Sequence, residues 1–152
     1  MSEEERDFAD DDDQRRPLGL VLLTGLYLFF FLVTASTYGH PFTLLGRIYV
    51  GSAAKVIVFI DSLVCLYLFL GIMKRQSLTW YLLLFYNLFE IVNIIVNLSL
   101  IAPAEIEKVI GMPVDRDALL VNNIASALAI LLLSQYIYRH RHFFTNRRCY
   151  LF

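Results

Sequence analysis

Residues 78–102 read LTWYLLLFYNLFEIVNIIVNLSLIA. The stretch is apolar for long enough to cross a hydrocarbon core as an α-helix, which takes about 20 residues. Near its middle stands Glu90, with Asn87, Asn93 and Asn97 around it. An ionisable group at that depth is costly, so it needs a partner, a proton or a function. Working outward, three more apolar runs have comparable lengths: Leu18–Thr37, Val56–Met73 and Ala118–Tyr138. A soluble core of 152 residues could not bury four such runs, so lipid is expected to be the solvent for much of the surface. The fold class expected is all-α, an integral membrane bundle of four transmembrane helices.

Charge divides the chain. Residues 1–16 hold eight acids and three arginines, whereas the remainder carries ten basic and six acidic residues. An acidic leader ahead of a long first apolar run is expected to be a cytoplasmic tail rather than a signal peptide. Residues 17–138 then form the membrane domain and residues 139–152 a basic cytoplasmic tail. With both termini inside, the inner segments hold nine Lys and Arg residues and the outer segments four, which is the orientation favoured by positive charge. The short Lys74–Arg75 connection between the second and third runs agrees, because short connections make neighbouring helices antiparallel. The outer loop from Tyr38 to Ala54 is apolar and is expected to lie along the interface. Residues 103–110 have the pattern of a short interfacial helix, and Asp115 or Asp117 can cap the fourth helix.

Candidate site residues come from polar positions inside the runs. At 100° per residue, Tyr86, Glu90, Asn93 and Asn97 share one face of the third helix, with Asn87 at its edge. The second helix adds Asp61, with Ser62 and Cys65 nearby, and the fourth adds Asn122 and Ser126 beside Ala125 and Ala129. At 1.5 Å per residue, Asp61 is expected roughly 9 Å below the outer end of its helix, and Glu90 about 18 Å below its own. Asn93 and Asn97 come at roughly 13 and 7 Å, and Asn122 and Ser126 at roughly 6 and 12 Å. The expectation is one polar pocket in the outer half of the bundle with Glu90 as its floor, able to hold a ligand or an ion. The competing reading makes the Asn and Ser side chains ordinary helix–helix glue and pairs Asp61 with Lys55.

Other motifs say less. Cys65 and Cys149 form no C-x-x-C, which argues against a disulfide oxidoreductase. Cys149-Tyr150-Leu151-Phe152 is a formal prenylation box with Tyr150 in an aliphatic position. His140 and His142 point apart on a continuing helix, so no metal is expected there. Arg139, Arg141, Arg147 and Arg148 are expected to face lipid headgroups, at about 1 kcal/mol per basic residue near an anionic surface. The acidic leader, on the same side, could compete with lipid for them. No Gly-rich phosphate loop, Ser/His/Asp set, zinc motif or haem-binding cysteine motif is present, so neither a cofactor nor a nucleic-acid partner is expected.

Three stretches are similar to a loose group of small prokaryotic four-helix membrane proteins of no assigned activity. They are Arg16-Pro17-Leu18-Gly19-Leu20, the segment from Gly71 to Tyr81, and Tyr136–Phe144. An Arg-Pro-x-Gly start, a basic inner turn followed by an aromatic pair, and a last helix ending in Tyr-x-x-Arg make the likeness. It implies topology and the plasma membrane of a prokaryote, and no functional residues. The functional expectation is a non-enzymatic accessory or structural subunit, or a lipid- or ligand-binding membrane component, partnered by another membrane subunit or by itself. The alternative is a small oligomeric ion- or proton-coupled transporter or channel using Glu90 and Asp61.

Overall fold

The computed structural model describes residues 17–146. The acidic leader at 1–16, Arg147, Arg148 and the Cys149 box fall outside those residues. Four helices are long and apolar enough to cross a membrane: α1 (Leu18–Ser36), α2 (Gly51–Met73), α3 (Ser77–Leu100) and α5 (Arg116–Arg139). A short α4 (Pro103–Ile110) and a 3-10 turn (Arg141–Phe143) complete the helical part.

Local chemistry explains the boundaries. Pro17 precedes α1, where a missing N–H costs no helical hydrogen bond. α2 begins five residues before the expected Val56. Hydropathy marks where the apolar run starts, whereas the small residues Ser52, Ala53 and Ala54 already sustain helical hydrogen bonds. α4 has proline in its first turn and ends on Gly111 in the left-handed conformation. Of the two capping candidates for α5, Asp115 does the work: its carboxylate accepts from the N–H groups of Asp117 (2.9 Å) and Ala118 (3.4 Å).

The outer loop differs from the expected interfacial strip. Phe42–Leu44 (β1) and Arg47–Tyr49 (β2) form an antiparallel hairpin with Phe42 opposite Tyr49. Its two-residue turn, Leu45-Gly46, has both φ angles positive, at 47° and 78°. That is the turn geometry whose twist suits a tight hairpin. The apolar residues that suggested an interface segment instead alternate along two strands and pack against the helices.

α1 packs along α2, and α3 packs along α5. Most of the buried core lies toward the α2–α3 turn: Leu20, Leu23 and Tyr27 of α1 meet Leu68 and Ile72 of α2, Trp80 and Leu83 of α3 and Ile137 of α5. Both ends of the described chain lie at this end, because Gly19 packs against Tyr136. The chain after α5 is not a loose tail. It folds back so that Asn146 pairs with Gln76 in a parallel bridge, donates to the Arg75 carbonyl (2.9 Å) and accepts from the Ser77 N–H (2.8 Å). Arg75 Nε donates to the Phe143 carbonyl at 2.9 Å, and Ser77 Oγ to that of Phe144 at 3.0 Å. Phe143 and Phe144 thereby enter the core. The remaining helix surface is apolar, with Phe29, Leu32, Phe59, Phe85, Leu88 and Leu132 all exposed. α5 buries only Ile137.

Candidate functional site

The early start of α2 decides the geometry of the carboxyl groups. Asp61 is ten residues from Gly51 and Glu90 ten residues from Leu100, so both lie about 15 Å from the hairpin end of their helices. The offset expected between them disappears. Both line one half-open cavity of ≈ 250 Å³, otherwise walled by side chains such as Ile57, Ile60, Val64 and Phe89 and roofed by Phe42 and Leu44 of the hairpin. An apolar cavity of ≈ 420 Å³ adjoins it along α2 and α3, sharing Ile60, Val64 and Tyr86.

Tyr86 joins the two helices at this point. Its hydroxyl donates to Asp61 Oδ1 at 3.0 Å and lies 3.2 Å from Cys65 Sγ. Asp61 and Cys65 are one turn apart on α2, so a single phenol spans both. Asp61 is thus partnered by Tyr86 and not by Lys55, which is exposed. The cluster offers two carboxyls, a phenol and a thiol. It can accept or pass hydrogen bonds to a donor that enters between α2 and α3.

The asparagines do other work. Asn93 Oδ1 accepts from the Leu45 N–H at 2.8 Å, and Asn97 Oδ1 accepts from the Gly46 N–H at 2.7 Å. Asn97 Nδ2 donates to Asn93 Oδ1 at 3.2 Å and reaches the Thr43 carbonyl at 3.5 Å. Two carboxamides one helical turn apart therefore hold the tip of the hairpin. The N–H groups of such a turn point outward and lack ladder partners, so a hairpin seated among helices needs acceptors of this kind. Leu45 in a left-handed conformation is unfavourable for a large side chain and persists where its surroundings fix it. Asn87, buried, accepts from the Tyr27 hydroxyl at 2.7 Å, while its Nδ2 has no hydrogen-bond partner.

Asn122 and Ser126 do not join the other candidates. Both are exposed on α5, and Ser126 Oγ donates back to the Asn122 carbonyl at 2.8 Å. The neighbouring Asn123 is the one that faces α3, in a ≈ 320 Å³ cavity at the hairpin end shared with Asn97. A one-residue shift turns a helical side chain by 100°, and the sequence of α5 has small residues on two faces, so its contact face was not distinguishable. The single polar pocket expected thus divides into a carboxyl cavity between α2 and α3 and a hairpin clasp on α3, with Asn122 and Ser126 in neither.

Tyr27 and Thr43 were not foreseen. Nothing in α1 signalled Tyr27, an amphipathic ring in an apolar run, and Thr43 became a partner only once the loop folded as a hairpin.

At the other end, Arg139 is exposed at the close of α5. Arg141 is exposed but held against the protein: its guanidinium carbon lies 4.8 Å above the Trp80 ring, and Nη2 donates to the Tyr81 hydroxyl at 3.0 Å. His140 Nδ1 sits 2.9 Å from the Tyr136 carbonyl, and His142 rests edge-on against Phe143. Among the described residues no three His, Cys, Asp or Glu side chains gather to hold a metal ion. The chain matches no family model, and no curated protein or solved structure is similar to it.

Proposed function

We propose that this chain is a non-enzymatic multi-pass membrane protein with both termini cytoplasmic, serving as an accessory or structural subunit. Its Asp61–Glu90 cavity receives a hydrogen-bond donor or a positive charge from a partner transmembrane helix. One observation carries this reading: two carboxyls at one level share a half-open cavity that is, apart from the Tyr86 hydroxyl, apolar, with no basic side chain among the described residues that line it. In lipid such groups demand compensation, and a partner's polar side chain is the usual source. Membrane insertion itself is supported by four long apolar helices whose outward faces carry Leu, Ile, Val and Phe. The uncovered surface of α5 fits a subunit that meets another chain.

The second reading is a small oligomeric ion- or proton-coupled transporter or channel. The hydrogen-bonded run from Cys65 through Tyr86 to Asp61, beside Glu90, favours it.

A photo-reactive residue in place of Phe85, which is 70% exposed and lines the adjoining cavity, tests both in native membranes. The subunit reading expects one defined adduct with another membrane protein, lost when Asp61→Asn and Glu90→Gln are combined. An adduct only with a second copy moves the weight to transport. In that case Glu90→Gln abolishes proton flux in reconstituted liposomes while leaving the helical content unchanged. An adduct indifferent to both carboxyls removes the subunit reading.

A further inference from the structure

The folded-back segment after α5 walls a further cavity, of ≈ 690 Å³, at the α2–α3 turn, far from the carboxyl pair. Among the described residues its polar lining is Ser77, Tyr81, Arg141, His142 and Thr145, over the indole of Trp80, with no carboxylate. We propose that this cavity is a built binding site for a phosphate group at the membrane surface, with the headgroup of an anionic phospholipid as its source. The proposal rests on the membrane insertion argued above and not on the partner-helix reading.

Arg141 is the centre of the site. Its guanidinium lies over the Trp80 ring at 4.8 Å and the Tyr81 ring at 5.7 Å. Those two rings stand at 83° to each other, so they form a corner that holds the guanidinium from two sides. The corner is itself fixed, because Trp80 Nε1 donates to the Ile137 carbonyl at 3.0 Å and the indole is buried. Among the described residues one guanidinium N–H group is used, by the Tyr81 hydroxyl. The planar fork retains donors for an anion, the geometry that suits phosphate. His142 and the Thr145 hydroxyl add further donors at the rim.

The physical distinction from a smear of surface arginines is pre-organisation. A free arginine near anionic lipid loses side-chain freedom when it binds one headgroup. Here Arg141, although exposed, already leans on the Trp80 ring and donates to the Tyr81 hydroxyl, so binding has less side-chain entropy to overcome. The setting is also suitable. Trp80 and Tyr81 lie in the first turn of α3, where an aromatic belt meets the polar boundary, and Phe144 supplies an apolar wall beside the glycerol region of a lipid.

Trp80 is the only tryptophan in the chain, so its emission reports directly on this cavity. The full chain, reconstituted in phosphatidylcholine nanodiscs, is titrated with short-chain phosphatidylglycerol and separately with inorganic phosphate. The expected result is a saturable change in Trp80 emission with phosphatidylglycerol. Arg141→Ala weakens it by about tenfold or more, as for loss of a charge-assisted hydrogen bond. Arg141→Lys is intermediate, because it keeps the charge and loses the fork. Lys108→Ala, exposed on α4 at the hairpin end of the bundle, leaves affinity within about twofold.

Tighter binding of the lipid than of inorganic phosphate assigns the headgroup as ligand. Equal binding overturns that assignment in favour of a soluble phosphate compound. Two results overturn the site altogether: no saturable response to either probe, or equal responses in the wild type and in Arg141→Ala and Arg141→Lys variants whose circular dichroism is unchanged. Alkaline carbonate extraction separates the underlying reading. Protein released from membranes refutes insertion, whereas retained protein with no Arg141-dependent response refutes the site alone.

Discussion

Replacing Asn97 by Leu tests the clasp that holds the hairpin. Leucine has the branching and the number of side-chain heavy atoms of asparagine, with bulkier methyl groups, so the change removes hydrogen bonds and leaves no cavity. The Gly46 N–H loses its acceptor at 2.7 Å, and Asn93 loses the Asn97 donor at 3.2 Å. An N–H left without a partner in a buried site costs about 1–3 kcal/mol. Side-chain hydrogen bonds between membrane helices measure lower, about 0.6 kcal/mol on average and 1.7 at most, because the separated state finds other partners. The hairpin is at an end of the bundle, where an undocked turn reaches water, and besides these two bonds only the long contacts to Thr43 at 3.4 and 3.5 Å are lost. Undocking should therefore become easier by about 2 kcal/mol, a factor of about 30 in the open population. Amide hydrogen exchange in nanodiscs measures it. Residues 42–49, and Gly46 above all, should exchange about 30-fold faster, while the interiors of α1 and α5 keep their protection. Unchanged protection at Gly46 in a folded Asn97→Leu protein would refute the reasoning. Asn93→Leu should act in the same direction, and the double variant should cost less than the sum, because the two carboxamides bond each other.

Two glycines give further expectations. Gly46→Ala places a Cβ against the Leu100 side chain at a φ of +78°, so hairpin docking should weaken by at least the 1–2 kcal/mol typical of a left-handed residue. Adding Leu100→Ala removes the Cδ1 and Cγ contacts but keeps the Cβ at 2.9 Å, so it should return part of the steric cost and none of the left-handed cost, as read by the same exchange experiment. Gly71→Ala brings a Cβ into Thr79 where α2 and α3 approach most closely, and overpacking of this kind costs about 1–3 kcal/mol. The melting temperature in detergent should fall, and Thr79→Ala in the same chain should recover part of the loss; a melting temperature equal to the wild type would sink the close-approach argument.

Much of the architecture was legible because membrane-length apolar runs are long, local signals. The four long helices, the short helix at 103–110 and a cap at Asp115 or Asp117 all follow from hydropathy, proline and glycine positions and side-chain capping, and the structure selects Asp115. The hairpin was not legible. Its strands are three residues each, its turn carries Leu45 where asparagine or glycine is usual, and its tip is satisfied by residues about 50 positions away. The folding back of residues 140–146, within the basic tail expected at 139–152, is not legible for the same reason, since its partners Arg75, Gln76 and Ser77 stand at the α2–α3 turn.

The candidate site divides along the same line. Composition alone determined that Glu90 and Asp61 are costly groups in apolar helices, because desolvation of a carboxyl depends on its surroundings and not on its neighbours' identity. That they meet was decided by tertiary structure. Whether two side chains on different helices share a level depends on where each helix starts, and the extra turn from Gly51 to Lys55 brings Asp61 to the height of Glu90. The face that α5 presents to α3 was decided there too, leaving Asn122 and Ser126 outside while Asn123 points in. Periodicity says which residues of a helix lie together. The partner that each face meets is set by packing between segments distant in sequence, which local patterns do not encode.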